Sequence, residues 1–234
     1  DGPAASTKAL IDITSSLNSA ICNTYVKENK PLYTNHHRMS LNLERQLCFY
    51  GAYHHDAVNV RIHMTFVPMI LAASLLLATN SPTLIPLPTW LTVPNLPLNA
   101  GTIGAIGYSA FYILLEPVAG SILLPLIIGW TAYANHLTNT YTSSANTVGI
   151  AVEIFAWVAQ FIGHGVYEHR APALLDNLVQ ALVLAPFFVF MEGLFEFGYR
   201  PELRKRVKEA VEKQIKKFET EKSDGAAAKN GKAN

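Results

Sequence analysis

Apolar positions in this chain come as long unbroken runs, spanning approximately Ile62 to Thr79, Ala100 to Leu115, Val118 to Leu137 and Val148 to Gly163. Runs of this length predict buried or lipid-facing helices, each close to the roughly 20 residues that cross a hydrocarbon core of about 30 Å. The breaks between them are legible too. Ser81 to Pro97 holds five prolines and is no regular helix, Glu116-Pro117 makes a tight break, and Thr138 to Thr147 is a polar, uncharged turn. A fifth apolar run, Leu178 to Phe197, carries Glu192 and Glu196 and is interrupted by Pro186, which predicts a bend there. From Pro201 the sequence PELRKRVKEAVEKQIKKFETEK sets Leu203, Val207, Val211, Ile215 and Phe218 at helical spacing among lysines and arginines. That pattern predicts a basic amphipathic helix, which either lies on an anionic membrane surface or packs on its own domain. Beyond Ser223 the Gly/Ala/Lys/Asn composition predicts disorder.

Charge sharpens the picture. Half of the 234 residues are hydrophobic and only 15% are charged. No lysine or arginine occurs between Arg61 and Arg170, and the acids inside that gap are Glu116, Glu153 and Glu168. A soluble domain would need a charged outer face somewhere in so long a stretch. Basic residues gather before the first run, after the fourth and in the tail from Arg200 to Lys222, and the positive-inside rule places all three groups on the cytosolic side. The fold class expected is all-α: a multi-pass helical membrane bundle with about four crossings, a re-entrant or interfacial fifth segment and a C-terminal amphipathic helix. The 18 basic and 17 acidic residues nearly cancel, so no field of the kind that attracts nucleic acid exists. Cys22 and Cys48 form no CxxC pattern, which excludes a disulfide-dense scaffold or a thiolate zinc site. Residues 1–38 read as an extension, 39–217 as the membrane-embedded domain and 218–234 as a flexible tail.

Most of the eight histidines lie where the charge gap begins, turns or ends: His54, His55 and His63, then His136, then His164 and His169. Ionisable residues at such positions are functional candidates, and neutral imidazole suits iron, zinc and copper. His54 and His63 are nine residues apart, which is roughly opposite faces of a continuous helix. A turn at Asp56–Asn59, with Asp56 or Asn59 capping a second helix, would instead let both rings converge. His164 and Glu168 stand at i and i+4 and share a helix face, either as ligand and supporting carboxylate or as a boundary hydrogen bond.

The segments YHHDAVNVRIH (Tyr53 to His63), QFIGHGVYEHRAPALLDNLVQALVLAPFF (Gln160 to Phe188) and MEGLFEFGYRPEL resemble the 2-hydroxy fatty acid dioxygenase family of small endoplasmic reticulum membrane proteins. The resemblance covers about Met39 to Lys217. His54, Asn59 and His63 match the first family motif, although Asp56-Ala57 replaces its usual Asn-Pro; Gly163, His164, Glu168, Pro172 and Ala173 match the second. His55 and His169 match no fixed position and are expected at the surface or behind the ligands.

The resemblance implies an Fe(II)-dependent oxygenase of α-oxidation. With dioxygen it would shorten a 2-hydroxy fatty acid by one carbon, on the route that degrades phytosphingosine. His54, His63 and His164 are then expected as metal ligands with Glu168 beside them, His136 as a fourth ligand, and Arg61 or Arg170 as the group that steers the substrate carboxylate. If the third and fourth runs are antiparallel crossings, however, His136 falls about 24 Å from the others. Two other classes stay open on the residues: a non-catalytic lipid-binding or scaffold protein, and a desaturase or hydroxylase. The second is weakened by the absence of dense HxxxH and HxxHH boxes. The sequence gives no oligomeric state.

Overall fold

The computed structural model describes residues 41–168 and 180–230. Regular structure among them is helical: α1 (Leu43–Tyr53), α2 (Ala57–Ala78), α3 (Ala100–Leu115), α4 (Pro117–Ile162), α5 (Ala185–Glu196) and α6 (Pro201–Asn230). They fall into two compact units, 41–52 with 198–230, and Tyr53–Phe197.

In the smaller unit, α6 buries Leu203 and Val211 and half-buries Val207 between them, while Lys205, Lys208, Lys213 and Lys216 stay exposed. A Cβ on Gly51 of α1 would sit 2.6 Å from the Val211 side chain, so the two helices pack at a distance only glycine permits. Arg206 donates from Nε and Nη2 to the two oxygens of Glu44, each at 3.1 Å, a fork matched to the planar carboxylate. The apolar stripe of this amphipathic helix is thus used, over its first three turns, for packing within its own unit. The helix runs on to Asn230, past Ser223 where composition predicts loss of order.

The larger unit is a bundle of apolar segments that alternate in direction. Asp56 caps α2 by accepting the N–H groups of Val58 (2.8 Å) and Asn59 (3.0 Å), and Glu116 caps α4 by accepting that of Ala119. The helix α4 does not continue straight. Tyr141 leaves the helical region (φ −129°, ψ 39°), and contacts to α2 show the chain folding back there. Trp130 Nε1 donates to the Ala72 carbonyl at 2.9 Å, and Ser74 Oγ donates to Glu153 at 3.1 Å. Residues 130 and 153 therefore lie at one level of α2, whereas a straight helix would hold them about 35 Å apart. The polar turn expected at Thr138 to Thr147 is present as this reversal, contracted to a single non-helical residue. Thr138 and Asn146, on either side of it, meet Thr79 and Asn80 at the end of α2. On the other flank, α3 runs antiparallel to the first arm of α4, since Asn99 and Thr102 meet Asn135 while Gly120 abuts the backbone of Tyr112.

Outward-facing positions remain apolar: Ile106, Leu114, Leu126, Val148, Ile154 and Phe161 are all exposed. Ala57–Ala78 and Pro117–Glu168 are long and apolar enough to cross a membrane, and a third span is counted if Leu182–Glu196 is joined to the helix after it. One end of the bundle carries a network of polar side chains. There Asn99 accepts from the Thr102 N–H (2.9 Å) and donates to the Thr79 carbonyl (3.0 Å) and Asn135 Oδ1 (2.7 Å), while Asn135 Nδ2 donates to Thr131 O (3.0 Å).

In the fifth apolar run Pro186 falls where the π-helical turn Gln180–Leu184 passes directly into α5, with Leu184 itself still helical (φ −92°, ψ −29°). Its missing N–H interrupts the helical hydrogen bonds of the preceding turn, as expected of a proline inside a helical run. The π-helical turn before it, Gln180–Leu184, leaves carbonyls that tyrosines satisfy: Tyr108 Oη donates to Leu182 O (3.1 Å) and Tyr112 Oη to Val183 O (2.7 Å). Tyr112 also stacks on Phe187, with ring centroids 4.9 Å apart.

Candidate metal centre

Three imidazoles converge at the end of the bundle opposite the asparagine network. His54 lies in the short link between α1 and α2, His63 on the second turn of α2, and His164 just past α4 in the π-helical stretch Gly163–Glu168. Ring centroids are separated by 4.3 Å (His54–His63), 4.9 Å (His54–His164) and 4.8 Å (His63–His164), with the planes steeply inclined to one another. One nitrogen from each ring lies within 4.8 Å of the other two. His63 and His164 are buried and His54 is half-buried. The break between His54 and His63 that the sequence left open is the Asp56 cap, and it turns two residues of unfavourable helical spacing onto one point.

The tautomer of His63 follows from its neighbour. Its Nδ1 lies 2.9 Å from the Asn59 carbonyl, which only accepts, so Nδ1 carries the proton and Nε2 presents a lone pair. Three inclined imidazoles, each offering one ring nitrogen, make a donor set that fits a divalent transition ion with bonds near 2.1 Å, after small side-chain adjustments. Imidazole alone does not choose between iron, zinc and copper.

Glu168 holds the backbone around two of the three histidines. Its side chain is fully buried, and its oxygens accept the N–H of His55 (3.1 Å), the N–H of Asp56 (3.2 Å) and the Asn59 amide (2.9 Å). His55, 43% exposed, adds its own imidazole contact to the same carboxylate. One carboxylate thereby ties the end of α4 to the turn bearing His54 and to the turn of α2 bearing His63. Asn59 is wholly buried and its Oδ1 sits against Gly163, where an added Cβ would lie 2.4 Å away. The glycine before His164 is what lets the two helices approach this closely.

Not every expected residue joins the cluster. His136 is exposed on the first arm of α4, stacked with Tyr133 at 6.5 Å, and lies near the Thr79–Thr138 end. Along the helix axis that is roughly 20–25 Å from the other histidines, beyond sharing one ion. Arg61 is exposed near the start of α2, and Arg170 and His169 lie outside the described residues.

Residues 40–197 match the family described as Mpo1-like, 2-hydroxy-palmitic acid dioxygenase Mpo1-like. The Saccharomyces cerevisiae protein 2-hydroxy-palmitic acid dioxygenase MPO1 is 37% identical over 174 residues, covering 74% of this chain and 91% of the relative. The chain belongs to the Mpo1-like family. No solved structure matches it. The family match encloses the three histidines, Asn59, Gly163 and Glu168, and stops at the end of the larger unit. The spacing of the sequence picked out the three histidines that converge here and the His164–Glu168 pair. His55, expected at the surface or in a supporting position, is 43% exposed and faces Glu168, a partner that its place in the sequence did not signal.

Proposed function

We propose that this protein is a non-haem Fe(II)-dependent dioxygenase that converts 2-hydroxy long-chain fatty acids, with dioxygen, to fatty acids one carbon shorter. The observation that carries the reading is the meeting of His54, His63 and His164 at one end of an apolar helical bundle in a chain of the Mpo1-like family. The yeast relative's name supplies the substrate class. We place the protein in the endoplasmic reticulum membrane, on the α-oxidation route of phytosphingosine degradation, with four crossings, the α5 region at the interface and basic termini in the cytosol. Alternating segments and the clustering of basic residues outside the charge gap support that topology.

His54, His63 and His164 would hold the iron; bound Fe(II) supplies a Lewis acid with open positions and the redox chemistry that activates dioxygen. The protein's own contribution is positional. The Asn59 carbonyl fixes the His63 tautomer, Glu168 fixes the loop behind His54, and His63 and His164 are held in the buried interior. Arg61, exposed near the start of α2, and Arg170 are our candidates for drawing the carboxylate toward that end of the bundle. The overall change, R–CH(OH)–COOH + O2 → R–COOH + CO2 + H2O, balances without an external reductant.

Purification in detergent under anaerobic conditions, iron quantification, and addition of 2-hydroxypalmitate and oxygen test the reading. The expected result is one iron per chain and a fifteen-carbon acid by mass spectrometry, both lost in His54→Ala and His164→Ala. A folded protein that holds no metal and forms no product would shift the assignment to a lipid-binding or scaffold role.

A further inference from the structure

One buried polar group near the cluster has no hydrogen-bond partner among the described residues. Gln160 is 5% exposed, and neither its Nε2 nor its Oε1 finds a hydrogen-bond partner among the described residues. It stands one turn before His164 on the second arm of α4, on the inward stripe that also contains Ala156, Gly163 and His164. The register against α2 fixes its level: Gly163 abuts Asn59 and Phe155 packs edge-on against Phe66, so Gln160 lies opposite the turn bearing His63. An amide buried without partners is costly, and such a group persists where a ligand completes it.

We propose that Gln160 is the specificity-determining residue that recognises the 2-hydroxy-carboxylate head of the substrate. A carboxamide presents one donor and one acceptor side by side. A 2-hydroxy acid offers the complement, a carboxylate that accepts and an adjacent hydroxyl that donates, whereas an unsubstituted fatty acid satisfies only the amide N–H. A site built to bond a hydroxyl rejects the analogue lacking it, because its own buried group is then left unpaired. This inference rests on the proposed dioxygenase reading and concerns binding, before any chemistry.

The test compares equilibrium binding of 2-hydroxypalmitate and palmitate to detergent-solubilised protein under anaerobic conditions, with iron content and thermal unfolding measured on the same samples. Wild type should prefer the hydroxy acid, and Gln160→Leu and Gln160→Met should lose that preference by about 10- to 100-fold, the factor carried by one or two hydrogen bonds to a charged head group. Both variants should keep wild-type iron content, lose more affinity for 2-hydroxypalmitate than for palmitate, and unfold at or above the wild-type temperature, since they remove an unsatisfied buried amide. A Gln160 that merely stabilised the fold would show the opposite, lower unfolding temperature with unchanged preference, and that result overturns the assignment. Loss of iron in the variants overturns it as well, by moving Gln160 to the metal. A wild-type enzyme that turns over while Gln160→Leu keeps full preference defeats this inference alone; a wild type with neither preference nor turnover defeats the dioxygenase reading and this inference together.

Discussion

Among the described residues, the buried amides of Asn99 and Asn135 at one end of the bundle have partners for both oxygen and nitrogen, while at the His54–His63–His164 end Asn59 Oδ1 and both amide atoms of Gln160 have none. Both ends solve the same problem, polar groups inside an apolar bundle where water does not reach. The first solves it internally and gains rigidity. The second keeps unspent hydrogen-bonding capacity beside three convergent imidazoles, which is how a preformed binding site differs from a structural network.

The contrast breaks most sharply with the three histidines proposed to hold the metal. His63→Ala should abolish metal binding and lower turnover by at least about 10³-fold, read by iron content and product formation. Next comes the carboxylate behind them: Glu168→Leu strands the N–H groups of His55 and Asp56 and the Asn59 amide, and should lower metal affinity by about 10–100-fold in a metal titration. Gly163→Ala forces a methyl group against Asn59 Oδ1 and should weaken metal binding by about 10-fold through displacement of that side chain.

At the opposite end the effect should appear in stability alone. Asn135→Leu leaves the Asn99 amide and the Thr131 carbonyl short of partners and should cost about 1–3 kcal/mol in detergent unfolding, with iron per folded chain unchanged. Equal loss of iron in Asn135→Leu would erase the distinction between the two ends. The smallest effect belongs to His136→Ala, for which wild-type iron content and turnover are expected.

Much of the bundle was legible in the charge gap, because a stretch without Lys or Arg has no soluble surface to form. The breaks at Glu116-Pro117 and Ser81–Pro97 were legible for the same local reasons that proline and capping chemistry always act locally. Pro186 was legible as an interruption of the fifth run, but that the interruption takes the form of a π-helical turn whose carbonyls Tyr108 and Tyr112 satisfy depends on a neighbouring helix. In the site, the i, i+4 spacing of His164 and Glu168 revealed a shared face but not that Glu168 reaches across to the backbone of His55 and Asp56, more than a hundred residues earlier.

The sequence by itself determined the helical class, the apolar segments, the His54, His63 and His164 candidates and the family, since each depends on residue type and spacing along one stretch of chain. Tertiary structure alone decided that His136 stands apart from the other three, that Glu168 braces a turn, and that Gln160 is left without partners beside the cluster. Those are facts about which segments pack at the same level of the bundle, and the level is set by the reversal at Tyr141 and the close approach at Gly163, neither of which is a local property of the residues involved.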